Sequence, residues 1–372
     1  MLVRRLPLHY CSDVGEPTLA GLCRSVAILT TELQAVTGPR RIQPQALASI
    51  SGLGHYLPEH IVTNDDLALT VDTSDEWIVE RTGIHGRHRA AADQATSDLS
   101  LHAARAALAD AGLVPTDLDL ILLATSTPDQ PVPSTACYLQ AKLGCAGVPA
   151  MDVAAGCSGF GYALQMAIGG VRAGLHQRVL VIGADCLTRI TNYADRQSCI
   201  LFGDGAGAVV VAKTGFVDLL HTSIGAEGSA ANMIQIRAGG SREPASSASV
   251  AGLRHTLELQ GREVFKSAVR QMASCIREAA QGVGVSVHDF DLIIPHQANA
   301  RIIEAVGRQL DVTPERVVID IADTGNMASA SIPVALGRAR ERGRLKAGQL
   351  IVVVGFGAGT TWACQVLRVR EA

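Results

Sequence analysis

The sequence predicts an α/β fold built twice over, and three observations carry that reading. From Ala48 onward, short β-branched runs alternate with helical stretches, the pattern of strands and helices packed in layers. The chain also repeats itself: Asp117-Leu-Asp-Leu-Ile returns 172 residues later as Asp289-Phe-Asp-Leu-Ile, and the strand Arg178 to Gly183 meets Gln349 to Gly355 at nearly the same displacement. Between these matches, Met151-Asp-Val-Ala resembles Ile319-Asp-Ile-Ala. Three matches in one order imply two copies of one α/β unit packed face to face. The length agrees, because 372 residues at roughly 150 per domain give two to three domain-sized units.

Residues 1 to 45 stand apart. They carry no clear strand pattern, and Gly38-Pro39-Arg40-Arg41 reads as a hinge, so they are expected to be a poorly ordered extension; a mistaken translation start would look the same. The first half is expected over 46–215 and the second over 216–372. In each half a helix precedes the first strand: Leu99 to Gly112, then Val264 to Gly282 with Val264, Ala268, Val269, Met272 and Ile276 on one face. A third element, Asp152 to Gly161, leads from a strand into the helical Tyr162 to Val171. Its counterpart runs from Ile319 through Asn326 into the helical Ile332 to Arg340. The second half also holds the strand Leu292 to Pro295, followed by a helix with Ile302, Ile303, Val306 and Leu310 on one face.

Composition excludes several classes. With 32 basic and 35 acidic residues the net charge is −3, which argues against nucleic acid as a partner. A hydrophobic fraction of 48% with aperiodic glycines excludes disorder and collagen-like structure. Nine scattered cysteines without a Cys-x-x-Cys pair read as reduced thiols in a cytoplasm, and no Cys or His cluster has metal-ligand spacing. Val153 to Val171 is uncharged, but its five glycines and a glutamine indicate a buried strand, turn and helix and not a membrane span. Gly203-Asp-Gly-Ala-Gly-Ala208 fits a dinucleotide fingerprint only on its face, because Val209 to Ala212 reads as a strand where a helix is required.

The chemistry gathers at equivalent strand ends. Cys157, in Ala-Gly-Cys-Ser-Gly, falls on a tight turn before a helix, where the helix dipole and unpaired N–H groups are expected to favour a thiolate. Small neighbours let the backbone bend and a substrate approach. In the second half, His296 ends a strand, and Asn326 takes the place that Cys157 holds in the first.

Asp152-Val-Ala-Ala-Gly-Cys157-Ser-Gly-Phe, Pro295-His296-Gln-Ala-Asn299 and Thr324-Gly-Asn326-Met-Ala-Ser-Ala-Ser-Ile-Pro resemble the β-ketoacyl-acyl-carrier-protein synthase III family. So do Asp72-Thr73-Ser-Asp-Glu-Trp77-Ile-Val-Glu-Arg81-Thr-Gly-Ile and Gly355-Phe-Gly-Ala358-Gly-Thr-Thr-Trp362. The resemblance covers residues 46 to 372. It implies a thiolase-like fold, with duplicated halves forming a five-layered αβαβα structure. It implies a homodimer without cofactors that acylates Cys157 from an acyl-CoA and condenses the acyl group with a malonyl thioester on acyl carrier protein. The resemblance assigns Cys157, His296 and Asn326 as catalytic and the backbone N–H groups of Cys157 and Ala358 as an oxyanion hole. It places Thr73, Trp77, Arg81, Arg196, Gly261, Phe265 and Asn299 along a CoA tunnel, with Lys266 and Arg301 where carrier protein docks.

Two details discriminate within the superfamily. A thiolase resembles this fold but needs a second cysteine as base, absent from the terminal glycine turn, and elongating synthases place a histidine where Asn326 stands. Val132 stands where short-chain members carry a phenylalanine that closes the acyl pocket from the partner subunit, so a longer or branched primer is expected to fit. A starter-unit synthase or acyltransferase of polyketide metabolism, passing the same acyl group to another acceptor, is the alternative.

Overall fold

The computed structural model describes residues 45–371; the expected extension over 1–45 therefore lies almost wholly outside the described residues. In chain order the first half comprises β1 (Ala48–Tyr56), β2 (His60–Thr63), α1 (Asn64–Ala68), α2 (Asp75–Thr82), β3 (Gly86–Arg89), α3 (Thr96–Asp110), β4 (Leu120–Ala124), α4 (Thr135–Leu143), β5 (Ala150–Val153), α5 (Gly159–Arg172), β6 (Arg178–Cys186) and β7 (Asp204–Ala212). The second comprises β8 (Val217–Ala226), β9 (Ile234–Gln235), α6 (Ser247–Ala251), β10 (Glu258–Leu259), α7 (Gly261–Gly282), β11 (Leu292–Pro295), α8 (Ala300–Leu310), α9 (Ser331–Glu341), β12 (Leu350–Gly357) and β13 (Thr361–Val369). The expected boundary at 215/216 falls in the turn between β7 and β8.

The main sheet runs β11-β12-β13-β8-β1-β7-β6-β4-β5, and its pairing repeats. β4 lies parallel to β6 and β6 antiparallel to β7; likewise β11 lies parallel to β12 and β12 antiparallel to β13. The parallel strands are continuous apolar runs because both faces are covered: Ile121 to Ala124 and Leu292 to Pro295 are all buried. The two sets of strands meet through a short β1–β8 pairing from Ala48↔Leu219 to Ile50↔Val217.

Helices supply the other layers. α3 and α4 bury Leu99, Ala103, Ala107 and Leu139 on one outer face, and α7 and α8 bury Met272, Ile276, Ile302 and Val306 on the other. Between the two sets of strands lie α5 and α9, where Phe160, Leu164, Ile168, Ile332 and Leu336 share one core with strand residues from both halves. This is the five-layered αβαβα arrangement, with the helices after Cys157 and Asn326 in its central layer.

One expected strand does not form. Val317 makes a single parallel bridge to Ile293, and the backbone that follows leaves the sheet. The amide of Gln297 substitutes for a ladder here: its Nε2 donates to Val318 O at 3.1 Å and to Pro295 O at 2.7 Å, while its Oε1 accepts from Asp320 N at 2.7 Å. The Gly203 to Ala208 segment enters strand β7 at Asp204, so no helix follows its glycines. Among the described residues no helix is long and apolar enough to cross a membrane.

Candidate active site

Cys157 sits in a single 3-10 turn, Gly156–Ser158, between β5 and α5. Gly156 is required at this bend: its φ is +53°, and a Cβ there would lie 2.7 Å from the N of Ala358. Gly357 faces the same spot, since a Cβ on it would lie 2.4 Å from the Cys157 N. The two glycine turns therefore close onto one another, which sets the backbone N–H groups of Cys157 and Ala358 beside the thiol, where both favour its thiolate. Replacing Gly357 with alanine is expected to push the two turns apart and to slow thiol acylation by at least about 100-fold, comparable to losing one oxyanion donor; stopped-flow acylation with an acyl-CoA measures it.

The expected thiolate is not the resting form. Burial pushes the Cys157 thiol up to about 12, the buried Asp185 carboxylate adds to that, and the two N–H donors pull back without prevailing. Desolvation outweighs the helix terminus because the half-buried thiol faces a cavity walled largely by apolar side chains. Acylation should therefore climb with pH, by close to tenfold per unit from about pH 6 to pH 9, as the scarce thiolate becomes less scarce. A plateau beginning near neutrality in a rapid-quench pH series would contradict that order of effects.

His296 is buried at the end of β11, and burial pushes its imidazole down to about 3, so it is neutral. Its Nδ1 lies 2.6 Å from Ser331 Oγ. Asn326 is held by backbone bonds on both sides: its N–H donates to Leu201 O at 2.8 Å and its carbonyl accepts from Gly203 N at 3.0 Å. Its Oδ1 accepts from Ala328 N at 2.9 Å, which leaves the amide NH₂ for the cavity. Ala328 adopts φ +40° to do so, a left-handed conformation that non-glycine residues adopt rarely.

Cys157, His296, Asn326 and Ala358 all line one cavity of about 340 Å³, whose walls include Leu187, Phe202, Leu257, Leu259 and Met272. Gly261, Phe265 and Asn299 line it too, and they also border an adjoining basic groove with Arg81, Arg262, Lys266 and Arg301. Asn299 has a structural duty as well, capping α8 through Arg301 N. Trp77 carries two guanidiniums over its ring, with Arg81 Cζ 4.3 Å and Arg196 Cζ 4.6 Å from the ring centre. Thr73 has a buried hydroxyl without a partner among the described residues. Val132 is not a wall of this chain's own cavity; it is 81% exposed.

Two supporting residues escape sequence reading. Asp185, at the end of β6, accepts from Thr125 Oγ1, Ser126 N, Thr127 Oγ1, Ser329 N and Ser329 Oγ, tying the Asn326 turn to the first half. A carboxylate closing the apolar run Val179 to Ala184 was the available signal. Ser331 is the other, with no signal beyond its place five residues after Asn326. Among the described residues no group of three or more His, Cys, Asp or Glu is placed to hold a metal ion.

Comparison with known proteins bears on this geometry. The family model described as 3-oxoacyl-(acyl-carrier-protein) synthase III matches residues 151–228, and that of the family's C-terminal part matches residues 280–369. A β-ketoacyl-(acyl-carrier-protein) synthase III of Caldanaerobacter subterraneus is 48% identical over 323 residues, covering 86% of this chain and 97% of that protein. The chain belongs to the β-ketoacyl-acyl-carrier-protein synthase III family. A second synthase III of the family, from Xanthomonas oryzae, is 47% identical over 319 residues, again covering 86% of this chain and 97% of that protein. The synthase III crystal structure from Aquifex aeolicus superposes with a TM-score of 0.80 at 43% identity, covering 86% of this chain and 99% of that one. The priming β-ketosynthase of the R1128 polyketide pathway superposes with a TM-score of 0.81 at 31% identity, covering 90% and 99%.

Proposed function

We propose that this chain is a β-ketoacyl-(acyl-carrier-protein) synthase III that starts fatty-acid synthesis. The observation that carries the reading is the one apolar cavity lined together by the Cys157 thiol, a neutral imidazole, a carboxamide and the Ala358 turn. The halves 46–215 and 216–372 divide the work, the first supplying the nucleophile and the second the donors.

The Cys157 sulfur attacks the carbonyl of an acyl-CoA. The thiol gives its proton to solvent, a C–S bond to Cys157 forms, the oxyanion is held by the N–H groups of Cys157 and Ala358, and as the C–S bond to CoA breaks CoA leaves as a thiolate that takes up a proton from solvent. A malonyl thioester on acyl carrier protein then loses carbon dioxide. Electrons from the breaking C–C bond pass into an enolate whose oxygen accepts from His296 and Asn326. Its α-carbon attacks the acyl carbonyl, Cys157 is expelled, and 3-oxoacyl-carrier protein is released. No proton is removed from carbon, so a second base is unnecessary, and neither step calls for a cofactor.

Further assignments surround this cavity. Lys266 and Arg301, joined by Arg262, give the groove at its mouth the charge that an acidic carrier protein requires. Thr73 offers CoA an unsatisfied hydroxyl. Adenine insertion between Trp77 and either guanidinium requires that guanidinium to swing off, because an intervening ring needs about 7 Å between its two neighbours. The exposure of Val132 and the edge of β5, unpaired among the described residues, support a second copy of the chain whose Val132 completes the pocket. The free thiols of the described cysteines suit a cytoplasmic setting.

The test is steady-state turnover of a panel of acyl-CoAs with malonyl-carrier protein, with products read by mass spectrometry. The reading predicts 3-oxoacyl-carrier protein, and turnover of medium or branched primers that falls about tenfold or more in Val132→Phe, since a pocket discriminates a few methylenes by that much. A strict acetyl preference in the unmodified chain would sink the Val132 assignment. Acyl transfer to another acceptor without condensation would favour the starter-unit acyltransferase alternative.

A further inference from the structure

His296 is neutral, so what it can do depends on which ring nitrogen holds its proton. Ser331, fully buried in the first turn of α9, decides this by hydrogen-bond accounting. Its Oγ lies 2.6 Å from His296 Nδ1 and 3.3 Å from the backbone N of Gln297. The Gln297 N–H can only donate, so the hydroxyl oxygen accepts there. The hydroxyl hydrogen then has one acceptor among the described residues, and that acceptor is Nδ1. A proton on Nδ1 would aim two N–H groups at one oxygen and strand the hydroxyl hydrogen in a buried site, whereas a proton on Nε2 satisfies every group.

We propose that Ser331 is a positioning residue that fixes His296 as the tautomer protonated at Nε2, so that the imidazole meets the condensing thioester as a hydrogen-bond donor and does not serve Cys157 as a base. The assignment rests on the condensing reading above. Nε2 has no partner among the described residues, and His296 lines the cavity with Cys157 and Asn326. Asn326 is treated the same way, its Oδ1 occupied by the Ala328 N–H and its NH₂ left over. In both side chains the protein takes the acceptor and leaves the donor, which suits an enolate oxygen and nothing that must be deprotonated.

The test uses the full chain labelled with ¹⁵N-histidine, the signals of His296 being those lost in His296→Asn. Nε2 is expected to give the protonated signature and Nδ1 the unprotonated one; the reverse would overturn the proposal. Ser331→Ala is expected to slow condensation of the acylated enzyme by about 10- to 100-fold, at least tenfold more than it slows acylation. Ser331→Thr, which keeps the hydroxyl, is expected to restore most of that loss. Equal slowing of both steps in Ser331→Ala would also overturn the proposal. A wild-type chain with the Nε2 signature but no condensation would defeat the condensing reading while leaving the tautomer assignment standing.

Discussion

Replacing Cys157 with alanine abolishes the acyl-enzyme and with it at least about 10⁴-fold of condensing activity, because removing a nucleophile removes the whole covalent route and not one contact within it. The fold should survive the change. Cys157 makes no side-chain hydrogen bond to another side chain among the described residues, and its turn is held by Ser158, whose hydroxyl donates to Ala155 O at 2.8 Å and lies 2.7 Å from Thr361 Oγ1. Thermal unfolding of Cys157→Ala within a few degrees of the parent, with no mass increment on exposure to acyl-CoA, is the expected pair of results. An alanine variant that still gains an acyl group would move the nucleophile elsewhere.

The second large effect separates the two half-reactions. Asn326→Ala and His296→Ala should each slow condensation by about 100- to 1000-fold, the cost of removing one preorganised donor, while slowing acylation by less than about tenfold. Donors serving one oxygen act as a unit, so the double variant should lose less than the product of the single losses. Rapid-quench measurement of acylation and of carbon dioxide release resolves the steps. Equal losses in both would place His296 in the first step and contradict its role as a donor only.

The fold was legible because the chain says most things twice. The Asp117 and Asp289 strings mark β4 and β11, and the glycine-ended strands mark β6 and β12; that register put Cys157 and Asn326 at equivalent bends without any structure. The failure is instructive in the same terms. Ile319 to Ala322 matches the β5 pattern, yet Gln297 satisfies the backbone there in place of a neighbouring strand. A side chain contributed from another strand end leaves no trace in local periodicity.

The site was legible as residue types and not as energetics. Position before a helix says that Cys157 receives N–H groups favouring a thiolate, but those that do so are its own and that of Ala358 from the opposite turn, and burial, a property of the assembled layers, reverses the sign of the shift. Asp185 shows the same limit. Its carboxylate is visible in the sequence, but its five donors come from β4, the loop after it and the Asn326 turn, and only the packing of the two halves brings them together. Val132, read as a wall supplied to a partner subunit's pocket, lies on the surface of its own chain, where such a wall has to lie.

The central claim is that Cys157 carries the acyl group which ends up on the β-keto product. Intact-protein mass spectrometry of the purified chain with one equivalent of acyl-CoA, followed by a chase with malonyl-carrier protein, tests it most directly. The account predicts one acyl increment, mapped to the Cys157 peptide, that disappears on the chase as an equal amount of 3-oxoacyl-carrier protein forms. An increment on another residue, or one that persists while product accumulates, would contradict it.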